Sequence, residues 1–133
     1  MADDKIRVVV KTPNNWAKSM QMDNTLEAFQ EMVDGHIECL PVGAHPNLLM
    51  ICNEDGKLCG SLQPNVGLMY DGKLFDVAVG TVVFCGQKGE EFASLTKDQE
   101  REILCWLDEK ELPVFETNEY ARHKKMEEDD ETV

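Results

Sequence analysis

Glu38, Asp76, His36, Cys39, Cys52 and Cys59 are the residues whose types and placement come nearest to a chemistry-bearing set. His36 and Cys39 have the H-x-x-C spacing of half a zinc site, with Cys52 and Cys59 as remote partners. Structural zinc normally takes two close Cys or His pairs, and only one pair here is close. The expected role of Cys39, Cys52 and Cys59 is therefore that of small buried hydrophobes. A thiol nucleophile would need His36 or His45 brought to it by the fold, because no local pattern supplies the base. Glu38 and Asp76 fall on expected strands. Brought together, two carboxylates can divide the general acid and general base roles, although a charged strand residue ordinarily faces water. Asn53, Glu54 and Asp55 suggest a calcium loop, but the regular spacing of oxygen ligands and the closing bidentate carboxylate are missing. No glycine-rich turn opens a helix with phosphate-cradling spacing. The expectation is a protein without catalytic residues, metal or cofactor, with all five cysteines as free thiols.

The elements that must position these residues follow from the pattern. "KIRVVVK" alternates, Ile6, Val8 and Val10 against Arg7, Val9 and Lys11, which predicts a half-buried strand. "TPNNW" breaks it. "DNTLEAFQEMVDG" predicts a helix capped by Asp23, Asn24 or Thr25, with Leu26, Phe29 and Val33 on one face and Gly35 as left-handed C-cap. "HIECLPV" and "NLLMIC" read as strands. The tetrapeptide DGKL then occurs twice, at Asp55–Leu58 and Asp71–Leu74. Asp-Gly between apolar runs is a hairpin signal, because both residues tolerate positive φ. The economical reading is one turn recipe used twice, with Gly56 and Gly72 at positive φ. "LFDVAVGTVVFCG" is the most β-prone stretch, and Gly80, Gly86 and Gly89 mark a kink and a loop. "SLTKDQEREILCWLDEKEL" predicts a second helix with a Thr96–Gln99 capping box and an Ile103, Leu104, Leu107 stripe, closed by Pro113. "VFETNEYARHKKMEED" suggests a further short helix. The fold expected is α+β: a small mixed or antiparallel sheet of about five strands with two main helices, in the order β-α-β-β-β-β-α. Residues 1–112 form one domain, and residues 113–133 form a C-terminal extension of short helix and acidic tail.

Charge narrows the partners. The 133 residues carry 13 Lys and Arg against 26 Asp and Glu, a net charge of −13. Such a chain is repelled by nucleic acid and by anionic membranes, so its natural partners are basic. Only five of these acids lie in the terminal run Glu127–Glu131, so the acidity belongs to the body as well. The start "MADDKIRVVV" lacks the basic n-region of a signal peptide, and no stretch reaches the ~20 apolar residues of a membrane helix. A cytoplasmic protein is expected.

"TLEAFQEMVDGHIECLPV", "ICNEDGKLCG", "LQPN", "LFDVAVGTVVFCG" and "FASLT" together resemble a domain-of-unknown-function family, number 3846. The resemblance runs in order over roughly residues 5 to 110. The family's recurrent residues map onto Glu38, Asn53, Gly56, Gly60, Pro64, Asn65, Asp76, Gly80 and Gly86. The resemblance implies no activity. It implies a context, that of small accessory proteins of phages, plasmids and conjugative elements. The resulting expectation is a non-enzymatic counter-defence factor that binds and blocks a host immune or nucleic-acid-binding protein through an acidic surface, Glu100 and Glu102 included. The alternative is a protein that sequesters a polar signalling molecule such as a nucleotide. Its candidate contacts are Asn53, Lys57, Gln63, Asn65 and Lys73, and Asp76 is a further candidate for ligand or partner.

Overall fold

A computed structural model of the chain describes residues 4–43, 47–56 and 62–117. Its architecture grows from the alternation in "KIRVVVK". Strand β1 (Lys5–Lys11) sends Ile6, Val8 and Val10 to one face and Arg7, Val9 and Lys11 to the other. The expectation of a half-buried strand does not hold, because every residue from Val8 to Lys11 is buried. Both faces of β1 are covered.

The sheet around it runs in the spatial order β2 (Lys18–Asp23), β1, β7 (Val82–Lys88), β4 (Leu48–Asn53) and β3 (Ile37–Pro41). The short β8 (Glu91–Ala93) extends the outer end of β7, and every pairing in this sheet is antiparallel. A second sheet holds β6 (Lys73–Val79), β5 (Pro64–Tyr70) and β9 (Val114–Glu116), with β9 parallel to β5. Helix α1 (Leu26–Val33) lays Phe29 and Val33 on Ile6, Val8, Val10, Ile51, Val83 and Cys85. On the opposite face, the second sheet and helix α2 (Lys97–Trp106) lay Val66, Leu68, Ala78, Ile103, Leu107 and Phe115 on Val9, Leu40, Met50 and Phe84. Each such fully buried side chain contributes about 1.5–3 kcal/mol, so two separate apolar layers hold the large sheet in the middle.

The α+β class and the two helices agree with the sequence pattern, whereas the strands are more numerous and divide into two sheets. Strand β2 was not expected, because "KSMQMD" is polar. It is an edge strand registered along β1, and Met22 is its one buried residue. Residues 114–116 pair beside β5 instead of starting a helix, and Phe115 stacks on Trp106 with centroids 5.6 Å apart. The extension expected from residue 113 thus contributes to the body through β9. Its acidic tail lies outside the described residues.

Local chemistry explains the element ends. Thr25 caps α1 by accepting from the Ala28 N–H, and the left-handed C-cap is Asp34 (φ 61°), one residue before the expected Gly35. Thr96 and Gln99 form the expected capping box of α2. The helix ends at Trp106, well before Pro113, because Leu107 already caps it.

The two DGKL copies are not the same turn. Asp71 (φ 52°) and Gly72 (φ 75°) make a two-residue hairpin loop between the paired Tyr70 and Lys73. Positive φ at both central positions is the type I′ geometry that follows strand twist. Gly56 has no positive φ, and it follows a strand whose successor belongs to the other sheet. A Cβ there would meet Val79 Cγ2 at 2.6 Å, so close approach is the reason for glycine at this position. Lys57 and Leu58 of that copy lie outside the described residues.

Candidate functional site

Two asparagines organise one end of the molecule. Asn65 sits at an irregularity of β5, where the register with β6 shifts between Pro64 and Val66. The extra residue turns Asn65 inward beside Val66, and both are fully buried. Its amide nitrogen donates to the carbonyls of Lys11 (2.7 Å) and Gly80 (2.8 Å), and its oxygen accepts from Lys11 Nζ at 2.9 Å. The Lys11 ammonium also donates to the Thr12 and Lys110 carbonyls, both at 2.9 Å. Three neutral oxygens therefore hold a cation with 0% exposure, and burial lowers its pKa below the ordinary lysine value. Neither the alternation of β1 nor any motif announced this arrangement. The alternation set Lys11 beside Arg7 on the face of β1 opposite Ile6, Val8 and Val10, and the second sheet buries it there.

Asn53 does the equivalent work at the end of β4. Its amide nitrogen donates to the Val33 and Asp34 carbonyls at 3.1 and 3.0 Å, and its oxygen accepts from the Asp55 N–H at 2.8 Å. Gly35 leaves room for that amide, since a Cβ there would come within 2.6 Å of Asn53 Nδ2. The staple joins the C-terminus of α1 to the 54–55 turn, and the Glu54 N–H donates to the His36 carbonyl across the same gap. Asp34, Glu54 and Asp55, all exposed, thereby come together at one rim.

A cavity of about 350 Å³ opens beside this rim. Met32, Val33 and Asp34 line it from α1, Pro13 from the turn after β1, Leu62 and Gln63 from the approach to β5, and Gly80 and Thr81 from the kink before β7. The Gln63 oxygen accepts from Asn14 Nδ2 at 3.2 Å. Asn14 (φ 63°), Asp34 (φ 61°) and Gly80 (φ 73°) all hold left-handed backbone at or beside this opening. Such conformations gather where the surrounding structure fixes a site. The α1 C-terminus also brings the negative end of the helix dipole to the cavity. An Asp carboxylate, a glutamine oxygen and apolar walls suit a cation carried on a hydrocarbon stem.

The other residues singled out by sequence are placed as follows. Asn53 and Asn65 use their amides on backbone. Gln63 lines the cavity just described. Lys57 lies outside the described residues. Lys73 is exposed at the start of β6. Glu38 and Asp76 are buried instead of solvent-facing. Glu38 shares the inward face of β3 with Leu40 and opposes Cys52, whose Sγ lies 3.9 Å from Glu38 Oε1. Asp76 faces the same interlayer with Ala78, and its Oδ1 accepts from the Val77 N–H at 2.8 Å. The fold thus puts both carboxylates on the layer between the sheets. Cys39 packs on the α1 side of the large sheet and Cys52 on the other, so these two candidate zinc ligands are separated by the sheet itself.

Glu100 and Glu102 both lie on α2. Glu102 is half-buried. Glu100 accepts from Arg7 Nε at 2.9 Å and Arg7 Nη2 at 3.1 Å, and it also accepts from the Ser19 hydroxyl. The Arg7 and Ser19 hydrogen bonds hold its carboxyl below the ordinary range, and Glu100 in turn raises Arg7. Among the described residues, no helix is long and apolar enough to cross a membrane.

One family description, Domain of unknown function (DUF3846), matches residues 6–108 of the chain. No curated protein and no solved structure matches it.

Proposed function

From the premise that this chain belongs to the DUF3846 family, we propose that it is a non-enzymatic binding protein that receives a basic side chain of a protein partner at the acidic rim. The observation that carries this reading is the cavity shared by Asp34 and Gln63, with Asn53 holding Glu54 and Asp55 beside it. A lysine or arginine of the partner would lay its stem on Met32 and Leu62 and bring its charge to Asp34. The net charge of −13 would speed encounter with a positive surface, an effect that salt screens over ~10 Å at about 0.1 M. In the setting the sequence suggests, the protein acts in the cytoplasm of a host cell, encoded by a phage or mobile element. Its target is a host defence or nucleic-acid-binding protein whose basic surface it occupies.

The test begins with recovery of the partner from host lysate by crosslinking and mass spectrometry. Association and dissociation rates are then measured at low and high salt. Asp34→Asn keeps the left-handed backbone, which asparagine tolerates, and removes the charge. Together with Glu54→Gln and Asp55→Asn it should slow association about tenfold and flatten the salt dependence. Unchanged kinetics in the triple variant would defeat the reading, as would a bound nucleotide extracted from the purified protein.

A further inference from the structure

A second cavity, of about 520 Å³, lies between β1 and α2, away from the acidic rim. Lys97, Glu100, Arg101 and Leu104 line it from one face of α2 at the i, i+3, i+4, i+7 spacing, while Arg7 and Leu95 close the other side. Three cations therefore surround one space in a chain with twice as many acidic as basic residues. Arg7 is held in place. Its Nε and Nη2 donate to Glu100, which Ser19 also binds, and the Arg7 backbone is tied to Ser94 Oγ and the Leu95 N–H. A guanidinium has five N–H donors in a fixed fork, so three of them are not spent on Glu100. Among the described residues Arg101 makes a loose contact with Asp98, 3.9 Å between two largely exposed side chains, which a ligand can replace at little cost. Glu100 and the loosely held Asp98 offset two of the three cations, which leaves one positive charge over at the cavity. Leu95 and Leu104 provide apolar walls.

We propose that this cavity binds a small amphipathic organic anion, its oxyanion head on Arg7, Lys97 and Arg101 and its apolar body against Leu95 and Leu104. The volume falls within the ~300–1,000 Å³ of ordinary small-molecule sites. The oriented fork of Arg7 suits a planar or tetrahedral oxyanion, and arginine meets such groups with two parallel hydrogen bonds. The cavity is separate from the acidic rim and takes ligand of the opposite charge, so this inference stands independently of the partner-binding reading.

Calorimetric titration of the full chain with octyl phosphate, inorganic phosphate and octanol tests it. Octyl phosphate should bind with one-to-one stoichiometry and about tenfold more tightly than either half-ligand, since head and chain each contribute. The double variant Lys97→Glu/Arg101→Glu should weaken octyl phosphate at least about tenfold at an unchanged thermal midpoint. In the unaltered protein, NMR shifts on adding octyl phosphate should centre on the Arg7 Nη–H, Leu95 and Leu104 signals. Absence of binding at millimolar octyl phosphate overturns the inference. So do equal affinities for octyl and inorganic phosphate, a double variant that binds like the parent, or shifts centred elsewhere.

Discussion

Against α1 the large sheet presents Ile6, Val8, Val10, Leu49, Ile51, Val83 and Cys85; against the second sheet it presents Val9, Leu40, Met50 and Phe84 together with Lys11, Glu38 and Cys52. The first layer is filled by apolar volume, whose contacts are non-directional, and only at its margin does Asn53 tie the α1 C-terminus by hydrogen bonds. The second is also apolar but contains groups that must meet particular partners. Packing permits many similar arrangements, whereas a buried ammonium between three oxygens permits few. The polar groups therefore fix how the two sheets sit on one another, and the apolar layer against α1 supplies adhesion. The acidic rim lies at the margin of the α1 layer, where Asn53 joins the α1 C-terminus to the 54–55 turn.

The sharpest way to break this comparison is to replace Asn65 by a residue of similar volume. Asn65→Leu leaves the Lys11 and Gly80 carbonyls without their donor and takes one acceptor from a buried ammonium. The expected loss is about 5 kcal/mol in urea unfolding, at about 1–3 kcal/mol per stranded buried group. A loss under about 1 kcal/mol, the level of a tolerated isosteric swap, would mean that this layer too is governed by volume.

Phe29 provides the matching experiment on the other face. It is fully buried and its ring centroid lies 4.7 Å from that of Phe92. Phe29→Ala should cost about 4 kcal/mol, while Phe29→Leu should recover most of that because it refills the space. If leucine is no better than alanine, ring geometry matters on this face as well, and the contrast weakens.

Alkaline pH should act on the two faces with opposite signs. Burial, and to a lesser degree the neighbouring Cys39 thiol, pushes the Cys85 pKa up from 9.0 to about 12. Below pH 9 both folded and unfolded thiols are protonated and stability is intact. Above it the unfolded thiol ionises first, so stability falls by at most about 1.4 kcal/mol per pH unit until the folded thiol also titrates. Lys11 is shifted downward. The unfolded state then keeps its proton to higher pH than the folded state, and stability rises as pH passes the folded value towards 10.5. Urea midpoints at pH 8 and 10.5 should therefore show a smaller alkaline loss in Cys85→Ala than in the parent, and a larger one in Lys11→Met. Identical losses in all three proteins would remove both assignments.

The smallest effect is a rescue. Lys11→Met in the Asn65→Leu background removes the charge that the first substitution left under-coordinated. The double variant should regain about 1–2 kcal/mol, since a stranded buried charge costs more than the same volume of hydrocarbon. Strict additivity of the two losses would mean that Lys11 and Asn65 are not coupled.

The sequence made some of this legible. Period-two alternation located β1, the capping residues located both helices, and Asp71-Gly72 located its hairpin. These are local rules written in consecutive residues. Strand β2 escaped because an edge strand needs few apolar side chains and takes its conformation from β1. Strand β9 escaped because its partner β5 is distant along the chain. Gly56 was misread because DGKL looks identical in both copies, while the force that demands glycine there comes from Val79. Of the residues around the candidate cavity, Gln63 and Asn53 had been singled out as polar contacts, but Asp34 had not, since a helix-capping aspartate is common. The cationic cavity was illegible because Arg7 and Arg101 meet only through tertiary structure, and Glu100 read as one more acid.

The strand order also sets a sequence of events during synthesis. The hairpin of β1 and β2 and the pair β3 and β4 are complete early in the chain, yet they do not border one another. The strand that joins them is β7, inserted between β1 and β4. Until residue 88 has left the ribosome, both early pairs present an inner edge of unanswered backbone groups. The nascent protein is thus most vulnerable to wrong pairing until about two thirds of these 133 residues have emerged, and one late strand closes both edges together.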